Sequence, residues 1–382
     1  MKKLLTLIIF LVSVDPSLVL AQKKDSLYEK LDLFSDILDT IRKDYYKSIN
    51  ESDVIDGAIN GMLQSLDPHS SYMSPETFKN MNSETKGEFG GLGIEVTMEQ
   101  GLVKVISPID ETPADRAGIK SGDFIIQLDD KQVKGMTLDK AVNLMRGASG
   151  TSITLTIRRI DIDDPIVVKI TREVIKTRPI LSEIKEKENV GYIRLRSFNE
   201  KSGDELIYKI RELIKKKPDL TGFILDLRNN PGGLLTQAVK VADAFLESGE
   251  IVSTKGREIK DTKIYNAKKG DEIKDKPLIV LINKGSASAS EIVAGALKDN
   301  KRAIIVGERS HGKGSVQSIM TLSNKGGLRL TTAKYYLPSG TTIEEIGVQP
   351  DIKVEQKKDD FKINDPINDN QLIYALKLLQ AS

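Results

Sequence analysis

The spacing of apolar residues predicts helices at both ends of the chain. The apolar positions that share a helical face near the amino end are Leu31, Leu33, Ile37, Leu38, Ile41 and Tyr45, followed by Val54, Ile55, Ile59 and Leu63. Residues 22–85 are therefore predicted to form an all-helical region, interrupted by the turn residues of 66–75. A last amphipathic helix is predicted at 370–380, within a carboxyl-terminal tail of residues 356–382.

A different pattern begins at the glycines between residues 87 and 93. The runs that are typical of strands lie at 93–97, 102–106, 124–128 and 153–158, and they alternate with turns and one helical segment at 138–146. This alternation predicts a β-rich module with helices over residues 86–172.

Residues 173–355 alternate between apolar runs and amphipathic helices. Strands are predicted at 191–198, 222–227, 277–283 and 303–308, with helices at 203–215, 234–247 and 290–299. Such alternation is typical of an α/β layer with a largely parallel sheet. The predicted fold class is therefore multidomain α/β, with a helical segment, a β-rich module, an α/β core and a carboxyl-terminal helix.

The first 21 residues resemble a secretory signal peptide. Lys2 and Lys3 precede an apolar run at 4–14, and small residues before Gln22 indicate cleavage after Ala21. The apolar run is shorter than the roughly 20 residues of a membrane-spanning helix. The segment predicts export, with an uncleaved membrane anchor as the alternative.

Composition narrows the chemistry further. The chain has 57 Lys and Arg against 55 Asp and Glu, and this balance gives no reason to expect nucleic-acid binding. The sequence contains no cysteine, which excludes a cysteine nucleophile and a thiolate metal site. It has two histidines and no HExxH pattern, so neither a metal nor another cofactor is expected.

Three loops that follow predicted strands are rich in glycine and small polar residues. They lie at 228–233, 284–290 and 309–314. The second loop places Ser286, Ser288 and Ser290 at the start of a helix, where a hydroxyl can act as a nucleophile beside a positive helix end. The same serines could equally well cap the helix, so spacing alone does not choose among them.

The third loop contains two possible bases for a serine nucleophile. Lys313 is flanked by two glycines, and His311 lies two residues before it. Histidine titrates near neutrality unaided, whereas a lysine base needs a dry pocket that lowers its pKa by roughly three units. The residues alone leave both bases open.

Six motifs in order resemble the carboxyl-terminal processing (tail-specific) peptidases, which are serine enzymes with a Ser/Lys dyad and an embedded PDZ domain. The motifs are LDPHSSY at 66–72, GEFGGLGIEV at 87–96, DLRNNPGGLL at 226–235, NKGSASASEIVAGAL at 283–297, GERSHGKGSVQ at 307–317 and TTAKYYLPSG at 331–340. The resemblance runs from about residue 30 to the carboxyl-terminal helix. It implies a serine peptidase core over 173–355 and a PDZ domain over 86–172.

The resemblance also implies roles for individual residues. It places the nucleophile at Ser288, the general base at Lys313, and a residue that supports the lysine at Gln317, one helical turn beyond it. The oxyanion donors would be the backbone N–H of Ala289 and one N–H of the pair Gly232–Gly233. Two departures from the family pattern, at His311 and at Leu337, leave the role of His311 open.

The segment at 91–94 resembles the carboxylate-binding loop of a PDZ domain. Gly91, Leu92 and Gly93 would hold a free carboxyl terminus, and Ile94 would form a pocket wall, while the peptide adds as a strand. The implied partners are protein or peptide substrates with a free carboxyl terminus, an adaptor protein, and further copies of the chain. The implied location is the bacterial periplasm, soluble or attached to the inner membrane.

The implied function is cleavage of proteins near their carboxyl terminus through an acyl-enzyme on Ser288. Two alternatives remain at this point. One is a hydrolase that uses a Ser288/His311 pair. The other is a PDZ-type binding protein that is inactive without a partner.

Overall fold

The computed structural model describes residues 16–109, 111–160, 162–176, 179–357 and 363–381. The chain divides into two units, residues 1–66 and residues 67–382. Residues 1–15 of the predicted signal peptide lie outside the described residues. None of the described helices has both the length and the apolar composition that crossing a membrane requires.

The first unit contains two helices. Helix α1 spans Pro16–Asp44 and α2 spans Glu51–Gln64. The second helix begins after Asn50 because the Asn50 side chain accepts a hydrogen bond from the Ser52 N–H and so caps the first turn. Both helices correspond to the pattern of apolar residues. Several apolar side chains of α1 are exposed, among them Phe34.

The second unit begins with a short strand, β1 at Ser71–Met73, followed by α3 at Pro75–Thr85. β1 pairs antiparallel with residues 327–329. β1 therefore lies inside the predicted interruption of the helical region at 66–75, where a strand was not predicted. This pairing joins residues far apart in the chain, and a local pattern does not show it.

The β-rich module follows. Its elements are β2 (Glu88–Gly91), β3 (Ile94–Glu99), β4 (Leu102–Pro108), α4 (Pro113–Arg116), β5 (Phe124–Leu128), β6 (Lys131–Gln132), α5 (Leu138–Met145), β7 (Ser152–Arg158), β8 (Ile166–Thr171) and β9 (Glu173–Lys176). The sheet has the order β3-β4-β5-β7-β8, and β2 pairs separately with β9. Alternate residues of these strands, such as Val103, Val105 and Ile125, form a separate buried core.

The α/β core occupies the rest of the unit. Its elements are β10 (Ile180–Lys185), β11 (Val190–Leu195), α6 (Ser202–Lys216), β12 (Gly222–Asp226), α7 (Leu235–Asp243), β13 (Glu250–Lys255), β14 (Lys263–Asn266), β15 (Leu278–Ile282), α8 (Ala289–Asp299), β16 (Ile304–Gly307), β17 (Ser315–Thr321), β18 (Gly327–Tyr336), β19 (Ile352–Lys353) and α9 (Asn370–Gln380).

Two sheets build this core. The first has the order β10-β11-β12-β15-β16-β19, and every neighbouring pair is parallel except β10 with β11. Helices α6, α7 and α8 contribute to the core on one face, and α9 contributes to a second core on the other. The second sheet joins β1, β18, β13 and β14, with β17 paired to β18. Strands β12, β15 and β16 are apolar because the sheet is covered on both faces.

A buried ion network attaches α9 to the loop after β12. The Arg228 guanidinium donates to Asp226 at 2.6 Å and to Asp369 at 2.7 Å, and all three side chains are fully buried. Asp369 also caps α9 by accepting from the Leu372 N–H. Burial alone would raise the pKa of Asp226, but the charge and hydrogen bonds of Arg228 outweigh it and hold that pKa below its ordinary value.

Replacing Arg228 with methionine is expected to destabilise this core by about 3–5 kcal/mol, because two carboxylates would lose their buried counter-ion. Urea unfolding measures the loss, and Arg211→Met, which removes the exposed Arg211–Glu272 pair, should cause little change. The network's contribution is present above the ordinary pKa of aspartate and is lost as pH falls through the depressed pKa of Asp226. Equal stability of Arg228→Met and wild type at neutral pH would contradict this account.

Candidate active site

The three glycine-rich loops meet at one edge of the parallel sheet. They follow β12, β15 and β16, which are neighbours in the sheet and run in the same direction. The carboxyl ends of parallel strands converge there with helix N-termini, which is where ligands bind in open α/β sheets. The fold therefore brings the predicted nucleophile loop, base loop and glycine pair together.

Ser288 occupies a strained turn immediately before α8. Its backbone has φ 53° and ψ −112°, a conformation that non-glycine residues rarely adopt. Its side chain is nearly buried, with 9% exposure. A serine on a sharp strand-to-helix turn is the arrangement of a nucleophile elbow, and such local strain is typical of functional sites.

The hydrogen bonds distinguish Ser288 from the two neighbouring serines. The Ser286 hydroxyl donates to the carbonyl of Leu227 at 2.8 Å, and the Ser290 hydroxyl donates to the carbonyl of Asn230 at 2.9 Å. Both are fully buried. Their hydroxyls are structural, whereas the Ser288 hydroxyl donates to no backbone carbonyl among the described residues.

Tyr335 of β18 lies beside Ser288. Burial raises the pKa of Tyr335 to about 12, and a hydrogen bond with the Ser288 side chain opposes that rise. The tyrosine belongs to the TTAKYYLPSG motif, but the sequence did not indicate that it contacts the serine.

The glycine pair packs directly against the Ser288 turn. A Cβ on Gly232 would lie 2.9 Å from the Cβ of Ser288 and 3.0 Å from the N of Ala289, and the Gly232 φ of 101° is itself unfavourable for other residues. The Gly232 N–H donates to the Asn230 side chain at 2.9 Å. Among the described residues, the N–H groups of Gly233 and Ala289 donate no hydrogen bond.

Asn230 connects the glycine loop to the nucleophile turn. Its buried side chain donates to the Leu195 carbonyl, and its own carbonyl accepts from the N–H of Ala287 and from the Ser290 hydroxyl. The two loops are therefore held in one relative position by buried hydrogen bonds.

Glu291 connects the nucleophile turn to the base loop. Its buried carboxylate accepts from the N–H of Ser288 at 2.8 Å, the N–H of Gly312 at 2.6 Å and the N–H of Lys313 at 2.9 Å. It also accepts from the Ser310 hydroxyl at 2.5 Å. Glu291 was not among the site residues predicted from the sequence. Its position three residues after a serine at a helix start fits the capping-box pattern, which was the available signal.

Lys313 lies on the base loop with a partly buried side chain. Burial lowers the pKa of Lys313 below its ordinary value, the positive charge of Arg329 lowers it further, and Glu344 opposes both. The direction agrees with the lowered pKa that a lysine base requires. No hydrogen bond joins the Lys313 ammonium to the Ser288 hydroxyl within the described part of the chain.

Gln317 does not lie on a helix. Residues 315–321 form β17, so the prediction that Gln317 lies one helical turn beyond Lys313 is wrong. The Gln317 amide instead donates to the Ser315 hydroxyl at 3.0 Å and to the Thr331 hydroxyl at 3.3 Å. The β17–β18 pairing determines this position, because it aligns Gln317 with Thr331.

The predicted carboxylate-binding loop lies beside a cavity of about 90 Å³ between β3 and α5. Residues 91–94 line the cavity together with Val142 and Met145 of α5. Within its described sheet, β3 pairs only with β4, so its other edge can accept a peptide strand. Gly93 has φ 78°, and a Cβ there would overlap the Thr112 side chain.

Comparison with known families and proteins agrees with this geometry. Residues 189–354 match the model of Peptidase family S41, residues 104–159 match that of the PDZ domain, and residues 15–77 match that of the activating protease CtpB N-terminal domain. A carboxy-terminal-processing protease of Bartonella bacilliformis is 54% identical over 88% of this chain and 78% of that protein. The chain belongs to the carboxy-terminal-processing proteases of peptidase family S41.

Two further relatives support this assignment. The carboxy-terminal processing protease CtpA of Bacillus subtilis is 37% identical over 89% of this chain and 72% of that protein. The solved structure of a photosystem II D1 C-terminal processing protease is 30% identical, with a TM-score of 0.51 over 83% of this chain and 85% of that one. The predicted family is confirmed, and the chain is a serine peptidase that hydrolyses peptide bonds and contains a PDZ domain.

The alternative Ser288/His311 hydrolase is not favoured by membership of this family. The His311 side chain is exposed, and its backbone N–H donates to the Ser286 carbonyl at 2.9 Å. His69, the other histidine, lies in a turn where its N–H donates to the Asp67 carboxylate. Neither the family nor the exposed position of the side chain supports His311 as the general base.

Proposed function

We propose that Ser288 is the nucleophile and Lys313 the general base of a peptidase that acts near the carboxyl terminus of its protein substrates. The observation that carries the proposal is the strained, nearly buried Ser288 on the turn before α8, with the base loop hydrogen-bonded to the same turn through Glu291. The relatives are named as carboxy-terminal processing proteases, which supports cleavage near the carboxyl terminus of the substrate.

The chemistry divides into two steps. In the first, the neutral Lys313 amine removes the proton from the Ser288 hydroxyl while its oxygen bonds to the substrate carbonyl carbon; the peptide C–N bond then breaks, and the Lys313 ammonium protonates the leaving amine. In the second, Lys313 deprotonates a water molecule whose oxygen bonds to the acyl carbon; the ester bond to the Ser288 oxygen then breaks, the Lys313 ammonium returns the proton to that oxygen, and the acid product leaves and loses its own proton to solvent. For the first step the Lys313 amine must reach the Ser288 hydroxyl, which in the described arrangement neighbours Tyr335.

The oxyanion that forms in each step needs donors close to Ser288. We assign the N–H groups of Ala289, the residue after Ser288, and Gly233, the residue after the glycine that packs on the Ser288 turn, since neither N–H donates a hydrogen bond among the described residues. The N–H of Gly232 already donates to Asn230, which makes it the weaker candidate of the pair. We assign Gln317 a supporting role in fixing β17, because its amide bonds to side chains on that hairpin.

The PDZ groove supports recognition of a free carboxyl terminus. A peptide added along the open edge of β3 would place its last residue against 91–94 and its side chain in the cavity beneath α5. Partners would then be unfolded or flexible protein ends. An adaptor protein is a further proposed partner. Exposed apolar residues of α1 support self-association, which sedimentation measurements would test by finding or excluding a dimer.

We infer export to the periplasm from the amino-terminal sequence, with the inner membrane as the site of attachment if the signal is not cleaved. Amino-terminal sequencing of the mature protein tests this inference, since a start at Met1 in a cytoplasmic fraction would contradict it.

A fluorescent peptide with a free carboxyl terminus is expected to be cleaved by the wild type, and to be bound without cleavage by Ser288→Ala. Amidation of the same peptide should raise KM by about 10-fold or more with little change in kcat, because charge-assisted hydrogen bonds to the carboxylate are lost. Cleavage of the peptide by Ser288→Ala would show that Ser288 is not the nucleophile. Equal KM values for the free and amidated peptides would exclude recognition of the carboxylate.

A further inference from the structure

The turn at 342–347 lies directly on the loop that carries Lys313. A Cβ on Gly314 would come within 2.5 Å of the Glu344 N and 2.8 Å of its Cα. A Cβ on Gly312 would lie 3.0 Å from the carbonyl carbon of Glu345, whose N–H donates to the Gly312 carbonyl at 2.9 Å. The glycines on both sides of Lys313 therefore allow this turn to pack against the base without intervening side chains.

The Glu344 side chain contains an unsatisfied buried acceptor. Its Oε2 is buried and accepts no hydrogen bond from the residues that the structure describes, although the backbone N–H of Glu344 donates to the Thr342 hydroxyl at 3.2 Å. A buried carboxylate oxygen without a donor is costly, and such atoms in native structures commonly indicate a functional role. The negative charge of Glu344 raises the pKa of Lys313, which precedes Gly314, the glycine that packs on the Glu344 backbone.

The other charged group that acts on the Lys313 ammonium is Arg329 of β18. Its positive charge opposes protonation of Lys313, whereas the Glu344 carboxylate favours it. Two opposite charges supplied by different elements, the β17–β18 hairpin and the turn after it, thus act on the base. Their balance decides how readily Lys313 accepts a proton.

Within the described part of the chain, the other groups around the base do not provide a competing carboxylate. Glu291 of α8 is occupied by four donors, three of them backbone N–H groups, including that of Lys313. His311 is exposed, and Tyr335 of β18 neighbours Ser288. The side chain of Glu345 is exposed. Glu344 is therefore the carboxylate available to receive the charged form of the base.

We propose that Glu344 is a positioning residue of the reaction: its Oε2 accepts a hydrogen bond from the Lys313 ammonium once that lysine has taken the proton of Ser288. The covalent steps are unchanged, since Glu344 neither gains nor loses a proton. The carboxylate stabilises the cation formed as the acyl-enzyme is made, and it also keeps the ammonium near the leaving amine that it must protonate. This inference rests on the proposed roles of Ser288 and Lys313.

Removing the Glu344 charge should change the pH dependence in two ways. Because the carboxylate raises the pKa of Lys313, its loss lets Lys313 become neutral at lower pH, and the rising limb of kcat/KM moves to lower pH. Because the ammonium then lacks its acceptor in the transition state, the rate on the plateau above that limb falls by about 10- to 100-fold. A purely structural defect would lower the rate without moving the limb.

The experiment compares full pH profiles of kcat/KM for the wild type, Glu344→Gln and the matched control Glu345→Gln, using the free-carboxyl peptide. In Glu344→Gln the rising limb is expected at lower pH and the plateau rate is expected to be lower than in the wild type. Glu345→Gln is expected to follow the wild type. Arg329→Gln should move the limb in the opposite direction, to higher pH, because it removes a charge that opposes protonation. Thermal melting of each variant verifies that it is folded, and Glu344→Asp should restore part of the plateau.

Two results would overturn the assignment of Glu344. One is a Glu344→Gln profile that coincides with the wild type, and the other is a uniform loss at all pH values with an unmoved limb. If Glu344→Gln fails to fold, the test falls to Arg329→Gln. A rising limb that does not move to higher pH in Arg329→Gln would then contradict the proposal that opposite charges act on Lys313. Normal turnover by Lys313→Ala would show that Lys313 is not the base. Failure of the proposed function is therefore distinguishable from failure of the Glu344 assignment.

Discussion

Replacing Glu291 with alanine is expected to lower kcat/KM by about 10²- to 10³-fold and to destabilise the α/β core by about 4 kcal/mol. The carboxylate is fully buried and accepts from four donors, so its removal leaves those donors buried without partners. Three of them are backbone N–H groups at Ser288, Gly312 and Lys313. Both loops of the site would therefore lose their fixed positions together, and small displacements of reacting groups are costly in rate.

Steady-state cleavage of the free-carboxyl peptide and urea unfolding measure the two effects. Glu308→Ala is the matched control, because Glu308 follows β16 in the same region. Its carboxylate lies 3.9 Å from the ammonium of the exposed Lys284 and accepts no hydrogen bond among the described residues. Wild-type kinetics and stability in Glu291→Ala would show that the carboxylate does not connect the loops. A loss of stability with unchanged kcat/KM would show that the Glu291 carboxylate connects the two loops but does not position the reacting groups.

Regular elements with a clear local pattern were predictable from the sequence. β5 and α9 begin and end at the predicted residues, α5 and α8 differ by one residue at one end, and α6 is longer by one residue at each end. These segments have short-range periodicity and buried apolar faces, which a local pattern records.

The second sheet was not predictable in the same way. β1 is three residues long and exists because it pairs with β18, while β17 and β18 form a hairpin with many half-exposed positions. Strands of this kind depend on partners far along the chain, and their alternation is weak. Gln317 was misplaced for this reason, since a residue count suggested a helical turn where a strand was present.

The active-site loops were recognisable from composition, but the roles within them were not. Three serines at a helix start are equivalent as a pattern, and only the hydrogen bonds of Ser286 and Ser290 to backbone carbonyls separate them from Ser288. Likewise, the contact of Glu344 with the base loop depends on the close packing allowed by Gly312 and Gly314. Such contacts arise from the folded arrangement of distant segments.

Lys313→Ala is expected to reduce kcat/KM by about 10³-fold or more, because it removes the amine that is proposed to take the proton of Ser288. The lysine needs its amine neutral, so activity should rise with pH through the pKa of Lys313. Burial and Arg329 place that pKa below its ordinary value, and the limb should therefore lie below the range in which free lysine titrates. His311→Phe should leave this limb and the rate unchanged, because the exposed imidazole does not take part.

The most direct test is the rate of Ser288 acylation across the pH range in wild type, Lys313→Ala and His311→Phe, measured with a peptide ester in single turnovers. The account predicts one rising limb in the wild type and in His311→Phe, and its disappearance together with most of the rate in Lys313→Ala. Acylation by Lys313→Ala at the wild-type rate with the same limb, or loss of that limb in His311→Phe, would contradict it.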